Sequence, residues 1–552
     1  MPVEQLRKGI VAAVAIVTAA TVGGLGITSA ASALEETSTG SITVSNLADS
    51  GESVDVTAKA YKIIDVNYDY DTDQPETPEF TWNFAITGWV KSNFPEYIGA
   101  DNSVTGEYEG LPNVEGETTS GIANNETTGE IAEFFDKLGA SGKLATVAGS
   151  AKNTGNSVTI NGLAIGGYYV EVTNNSDEST TANGLYVYRA VDANVLPKYV
   201  DKQWVVDNAT IVAKRSKPSM DKSINERTSS EINTGLDKRD QGSDTAYIGE
   251  NVKFDLRTDV PAYPSNAISK SYWISDAMDE ALTFNDDITV EGVKADGSTV
   301  DLTGTDAYVK ILNTKDMGDH DVTFLLKFDY DKIRAYSKIH VSYSAIVNEK
   351  AVVGTAIVNH AELQYNNNPY NGNDYTTIPD DTKVYVFGIK VNKIAAGTKT
   401  PLSGAEFKLQ RNGETSKFVE VSTGVYRKAL NTETGSETLV TDANGKLTVY
   451  GLKGADDDGN QLTYQLVETK APGGYNKLGA PIDVTLTPIQ DEAKDYTGHL
   501  EGESEIGYVA KDVENKTGKL PKTGGIGTIV FSVLGVLMIA GGVMLAASRK
   551  KA

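Results

Sequence analysis

Residues Ile526 to Ala547 form a charge-free, predominantly apolar run, and Arg549, Lys550 and Lys551 close it. About 22 such residues suffice for a helix to cross a ~30 Å hydrocarbon core, and closing cations hold that end in the cytoplasm. Whatever precedes the run must then fold outside the membrane. The other end agrees. Arg7 and Lys8 precede an apolar stretch from Ile10 to about Ile27, and Ala31-Ser32-Ala33 offers small residues for cleavage. Residues 1–33 are therefore expected to be a secretory signal peptide. The exported part has about 490 residues, enough for two to four domains that each bury a core.

Composition narrows the chemistry. There is no cysteine, so an exported chain of this sequence has no disulfides and no thiol nucleophile of its own. The formal net charge of −25 argues against nucleic acid or an anionic membrane surface as partner. Four histidines in 552 residues make a His-rich metal site improbable, so neither a metal nor another cofactor is expected. The acidic loop Asp456-Asp457-Asp458-Gly459-Asn460 reads as a solvated turn.

Period-two alternation and turn residues dominate between the two apolar segments, which predicts a mainly β fold. In residues 34–217, Ser41–Val44, Val54–Ile64, Val158–Ile160 and Gly167–Val172 read as strands. Thr128–Gly139 reads as a short helix capped by Thr128, and the polar stretch from Tyr68 to Asn125 reads as loops and insertions. In residues 218–386, Ser219–Ile224, Val252–Arg257, Val322–Tyr330, Ile339–Val347 and His360–Tyr365 read as strands, with a short helix at Ser275–Leu282. In residues 387–515, Gly388–Asn392, Tyr464–Glu468 and Ile482–Leu486 read as strands, and Leu402–Leu409 as a turn into another strand. Asn444-Gly445 within Thr441–Thr448 is a strong hairpin signal. Residues 516–552 are a short tether, the apolar run and its tail. Regular short strands between turns indicate β-sandwiches in tandem.

Two stretches carry a specific resemblance. Leu520-Pro521-Lys522-Thr523-Gly524, just before the apolar run and its basic tail, resembles the cell-wall sorting signal of Gram-positive surface proteins. That signal is cut by a sortase between Thr and Gly, here Thr523–Gly524. Tyr464-Gln-Leu-Val-Glu468-Thr-Lys-Ala-Pro-Gly-Gly-Tyr475 matches every fixed position of the E-box of sortase-assembled pilins. Lys393, followed by Pro401-Leu-Ser-Gly-Ala-Glu-Phe407, resembles the opening of a CnaB-type immunoglobulin-like domain. The exported chain is thus similar to a pilin backbone subunit: tandem Ig-like (Cna-type) β-sandwiches in a rod, secreted and anchored to the wall. The resemblance implies a structural protein rather than an enzyme. The implied partners are a pilus-specific sortase, identical subunits in a covalent polymer, minor pilins, peptidoglycan through a housekeeping sortase, and a host surface ligand. The alternative reading is a monomeric wall-anchored adhesin.

Such domains join a lysine amine to an asparagine carboxamide and release ammonia. The reaction is slow in water, because the amine is protonated and the amide inert. Burial lowers a lysine pKa, a neighbouring carboxyl handles the protons, and fixed geometry supplies effective concentration. In the third domain the resemblance assigns Lys393, Glu468 and Asn515, with Lys390 as a competing lysine. Alternation puts Glu468 on the same face as Leu466. In the middle domain it assigns Lys222, Asp255 and Asn359, and in the first domain no triad. Polymerisation also needs an acceptor lysine. The family's pilin motif, roughly W-x-x-x-V-x-V-Y-P-K, is only partly kept in Trp204-Val-Val-Asp-Asn-Ala-Thr-Ile-Val-Ala-Lys214. Lys214 is the preferred acceptor, and Lys198 in Leu196-Pro197-Lys198 is the alternative.

Overall fold

The computed structural model describes residues 34–106, 108, 129–175, 184–224, 242–264, 267–518 and 527–548. The signal segment, the Leu520–Gly524 motif and the capping Thr128 lie outside the described residues. The rest is mainly β, with tandem sandwiches that each bury a core of their own.

In the first sandwich, Thr39–Ser45 lies between Ala209–Val212 and Ser157–Ala164. This sheet faces one in which Val56–Asp69 and Gly166–Asn174 are central. Ile42, Val44, Val56, Ala58, Val170 and Val195 fill the space between. A register shift between Lys62 and Ile64 marks a bulge, which re-aims the strand beyond it. The other face of that second sheet then carries an aromatic layer of Trp82, Phe94, Tyr97, Tyr108, Phe134 and Tyr169. The stretch read as loops from Tyr68 to Asn125 supplies much of this layer, through the strand Gln74–Trp82 and the helix Phe84–Asn93. Its polar composition hid a minority of well-placed rings. The expected helix after it spans Gly129–Ala140.

The middle sandwich has two six-stranded sheets. One contains Met220–Ile224, Asn251–Asp259 and Lys338–Val347; the other contains Tyr272–Met278, Ile357–Tyr365 and Thr376–Tyr385. The helix expected at Ser275–Leu282 is absent, and its first half is the strand Tyr272–Met278, paired on both sides. Two neighbouring strands that bury Tyr272, Ile274 and Asp276 outweigh a weak local helix preference.

The third sandwich closes by placing its first strand, Phe387–Ala395, parallel to its last, Tyr508–Asn515, with Lys393 opposite Val513 and Ala395 opposite Asn515. Leu462–Lys470 lies in the facing sheet. The Asn444-Gly445 turn forms as expected, but it is not a hairpin. Leu439–Val440 pairs with Glu406–Arg411, whereas Lys446–Leu452 pairs with Phe387–Ala395, so the turn carries the chain from one sheet to the other. Gly445 has φ +69°, and a Cβ there would stand 2.5 Å from the Lys393 carbonyl oxygen. Glycine is therefore required where this turn meets the Lys393 backbone.

Direct contacts join the sandwiches. Asn174 Nδ2 donates to the Asn367 carbonyl (2.6 Å), and Asn367 Nδ2 donates to that of Gly184 (2.9 Å). Between the second and third, Lys453 Nζ donates to Glu250 at 2.7 Å, and Ile248 N–H donates to the Gly451 carbonyl at 3.0 Å. Beyond Gly518 the next described element is the helix Gly527–Ser548. Among residues whose side chains are described, no helix is long and apolar enough to cross a membrane. The backbone helix itself has 22 residues and no charged one. It is about 33 Å long, and Val536, Leu537, Met538 and Ile539 stand exposed on it.

Candidate cross-linking sites

Inward alternation buries Lys393 with Ile389 and Val391, Glu468 with Tyr464 and Leu466, and Asn515 with Val513. The three polar side chains meet between the sheets. Lys393 Nζ stands 3.0 Å from Glu468 Oε1, an ion-pair contact out of line for a hydrogen bond. Asn515 Nδ2 donates to Glu468 Oε2 at 2.9 Å and to the Asn476 carbonyl at 2.6 Å. Glu468 Oε2 also accepts the Leu478 N–H at 2.7 Å. One carboxyl thus touches the amine with one oxygen and the amide nitrogen with the other. Burial pushes the Lys393 amine below the usual lysine range, against the pull of Glu468. Phe407 covers the amine, with its ring centroid 5.5 Å away.

The rest of the E-box braces this arrangement. Tyr464 donates its hydroxyl to the Lys453 carbonyl at 2.8 Å. Gly474 accepts the Gly518 N–H at 3.0 Å, and the Asn476 N–H donates to the Lys516 carbonyl at 2.9 Å. The end of the last strand is thereby tied down next to Asn515. Lys390 faces outward, paired with Glu505 and lying over the Tyr508 ring, so it is not part of the cluster.

In the middle domain, Lys222 and Asn359 are fully buried, but the carboxyl beside them is not Asp255. Lys222 Nζ donates to Asp276 Oδ2 at 2.6 Å. The Tyr343 hydroxyl donates to the same oxygen, and Asn359 Nδ2 donates to the Tyr343 hydroxyl at 3.2 Å. Asp276 Oδ1 and Asn359 Oδ1 have no hydrogen-bond partner among the described residues. Asp255 lies on the other face of its strand, because Phe254 and Leu256 take the inward positions and alternation turns it away. There it is bonded to His340 (2.8 Å) and accepts from the Ser342 hydroxyl (2.6 Å). Burial opposes its charge, but these bonds prevail and hold its pKa below the ordinary range. Burial pushes the Lys222 amine down and the Asp276 carboxyl up, each against the attraction of the other. Both shifts favour the uncharged amine and acid over the ion pair.

The two candidate acceptor lysines differ in setting. Lys198 is exposed and paired with Asp207 at 3.3 Å. Lys214 opens the short strand Lys214–Ser216, is half-buried, and makes no ion pair among the described residues. Its neighbours Arg215 and Lys217 are taken up by Asp49 and Glu52. The sequence reading did not place Asp276 and Tyr343 beside Lys222 and Asn359. The inward triplet Tyr272, Ile274, Asp276 was the available signal, once that segment is read as a strand.

Family comparisons agree with the fold and the C-terminal signal. The model for "Gram-positive pilin backbone subunit 2, Cna-B-like domain" matches residues 248–369. A "Prealbumin-like fold domain" matches 387–498, and the "LPXTG cell wall anchor motif" matches 512–552. The chain is a secreted, cell-wall-anchored backbone pilin subunit of a sortase-assembled surface pilus, a structural protein rather than a member of an enzyme family. Among relatives, it is 29% identical over 448 residues to the trypsin-resistant surface T6 protein of Streptococcus pyogenes serotype M6, covering 69% of this chain and 79% of that one. It is 26% identical over 360 residues to fimbrial subunit type 1 of Actinomyces viscosus, covering 58% and 64%. The structure of the T6 backbone pilin, described as modular and three-domain, superposes with a TM-score of 0.51 at 19% identity, over 88% of this chain and all of that one.

Proposed function

We propose that a pilus sortase opens Thr523–Gly524 and passes Thr523 to the amine of Lys214 on the next subunit. We further propose that each subunit is stiffened by two internal isopeptide bonds, Lys393–Asn515 and Lys222–Asn359. The observation that carries the internal bonds is the placement of Glu468 between the Lys393 amine and the Asn515 amide nitrogen. In the dry core, the lysine gives a proton to Glu468 and becomes a nucleophile. Nζ attacks Asn515 Cγ, the acid delivers its proton to Nδ2, which leaves as ammonia, and the second proton of Nζ passes to the carboxylate so formed, leaving Glu468 protonated. In the middle domain Asp276 is the carboxyl that takes the proton of Lys222. Water exclusion and fixed geometry make each step intramolecular.

The lack of an ion pair at Lys214 among the described residues supports it as acceptor, because an acyl acceptor needs an unengaged amine. The wider partner set comprises identical subunits, minor pilins, peptidoglycan through a housekeeping sortase, and a host ligand in adhesion. It follows the family resemblance. Lys214→Arg keeps the charge and removes the nucleophile. On an immunoblot of wall extracts the high-mass ladder should collapse to monomer. A full ladder in that variant, lost instead in Lys198→Ala, would transfer the role to Lys198.

A further inference from the structure

The two clusters differ at the leaving nitrogen. Glu468 reaches the Asn515 amide directly. Asp276 is one methylene shorter, and the Tyr343 hydroxyl stands between it and Asn359 Nδ2. We propose that Tyr343 is a catalytic residue of the Lys222–Asn359 reaction, relaying a proton from Asp276 to the departing amide nitrogen. The inference rests on the reading that this bond forms.

Its proton balance closes. Lys222, as a neutral amine, attacks Asn359 Cγ through Nζ and gives up one proton to the Asp276 carboxyl group. Asp276 passes a proton to the Tyr343 oxygen as the Tyr343 O–H proton moves to Nδ2. The Cγ–Nδ2 bond breaks, ammonia leaves, and Tyr343 and Asp276 are restored. Three features suit Tyr343 to this role. Its hydroxyl already donates to the acid and accepts from the leaving group. Its ring is fixed by Phe254 (5.4 Å between centroids) and Phe324 (5.0 Å). Burial, with Asp276 alongside, raises its pKa far above the tyrosine range, so the proton it must donate is present.

Tyr343→Phe keeps the ring and its packing and removes the relay. In the full exported chain, the Lys222–Asn359 cross-linked peptide should form at least about 100-fold more slowly after synthesis, the scale of lost general acid–base catalysis. The Lys393–Asn515 peptide of the same molecules should form at its normal rate and serves as the internal control. Equal rates for both peptides in variant and wild type overturn the relay. A wild type that never forms the Lys222–Asn359 peptide overturns instead the reading beneath it. A second measurement does not depend on how the variant folds. Difluorotyrosine at position 343 keeps the ring and the hydroxyl but makes its proton more acidic. A several-fold change in bond-formation rate supports proton relay, and an unchanged rate assigns Tyr343 to packing alone.

Discussion

Glu468→Gln separates the chemistry of the third domain from its packing. Glutamine has nearly the same shape and can still accept the Leu478 N–H that Glu468 accepts at 2.7 Å, but it cannot carry the lysine's proton. The variant should lack the Lys393–Asn515 bond and so retain about 17 Da that bond formation removes as ammonia. The missing cross-link frees a loop of about 120 residues in the unfolded state. By the closure entropy of a cross-link that size, the loss is about 5 kcal/mol. For a domain of about 130 residues, with an unfolding entropy near 0.27 kcal/mol/K, Tm falls by roughly 15–20 °C. Intact mass and calorimetry on the same sample read both quantities. A variant with the full mass loss would refute the role of Glu468. A variant without the bond whose third-domain transition falls by less than about 5 °C would refute the entropic account.

Two further predictions concern the middle domain. Asp276→Asn should abolish the Lys222–Asn359 cross-linked peptide, whereas Asp255→Asn, on the outward face, should leave it intact; the reverse pattern in peptide maps would restore Asp255. Hydrogen bonds to Glu362 and Asp381 raise the His360 pKa to about 9. Because the folded value lies above the unfolded one near 6.5, this stabilisation is full below pH ~6.5 and is lost as pH rises through about 9. The denaturation midpoint should fall across that window and do so less in His360→Gln; identical profiles would contradict the assignment.

The legible parts of this chain were those where local pattern and tertiary role coincide. Glu468 could be read because it shares parity with Tyr464 and Leu466, and all three are buried. The same parity argument places Asp255 outward between Phe254 and Leu256, so the resemblance that put it in the site conflicted with the alternation around it. Asp276 was hidden because Ala277, Met278, Glu280, Ala281 and Leu282 are good helix formers, and only pairing with two distant strands makes the segment extended. Asn444-Gly445 announced a turn, yet turn chemistry does not say whether the two arms pair with each other or with opposite sheets. The aromatic layer of the first domain escaped for a related reason: Trp82, Phe94, Tyr97 and Tyr108 are spread through a polar stretch with no single period.

In the proposed polymer, Thr523 of one subunit is bonded to a lysine of the next. The direct measurement is tandem mass spectrometry of protease digests of high-mass polymer released from the wall. The expected product is a branched peptide in which the Thr523 carbonyl is joined to Lys214 Nζ, with Gly524 and everything after it gone. Wall-bound chains that still carry Gly524 and the apolar tail, or Thr523 found joined only to peptidoglycan, would contradict it.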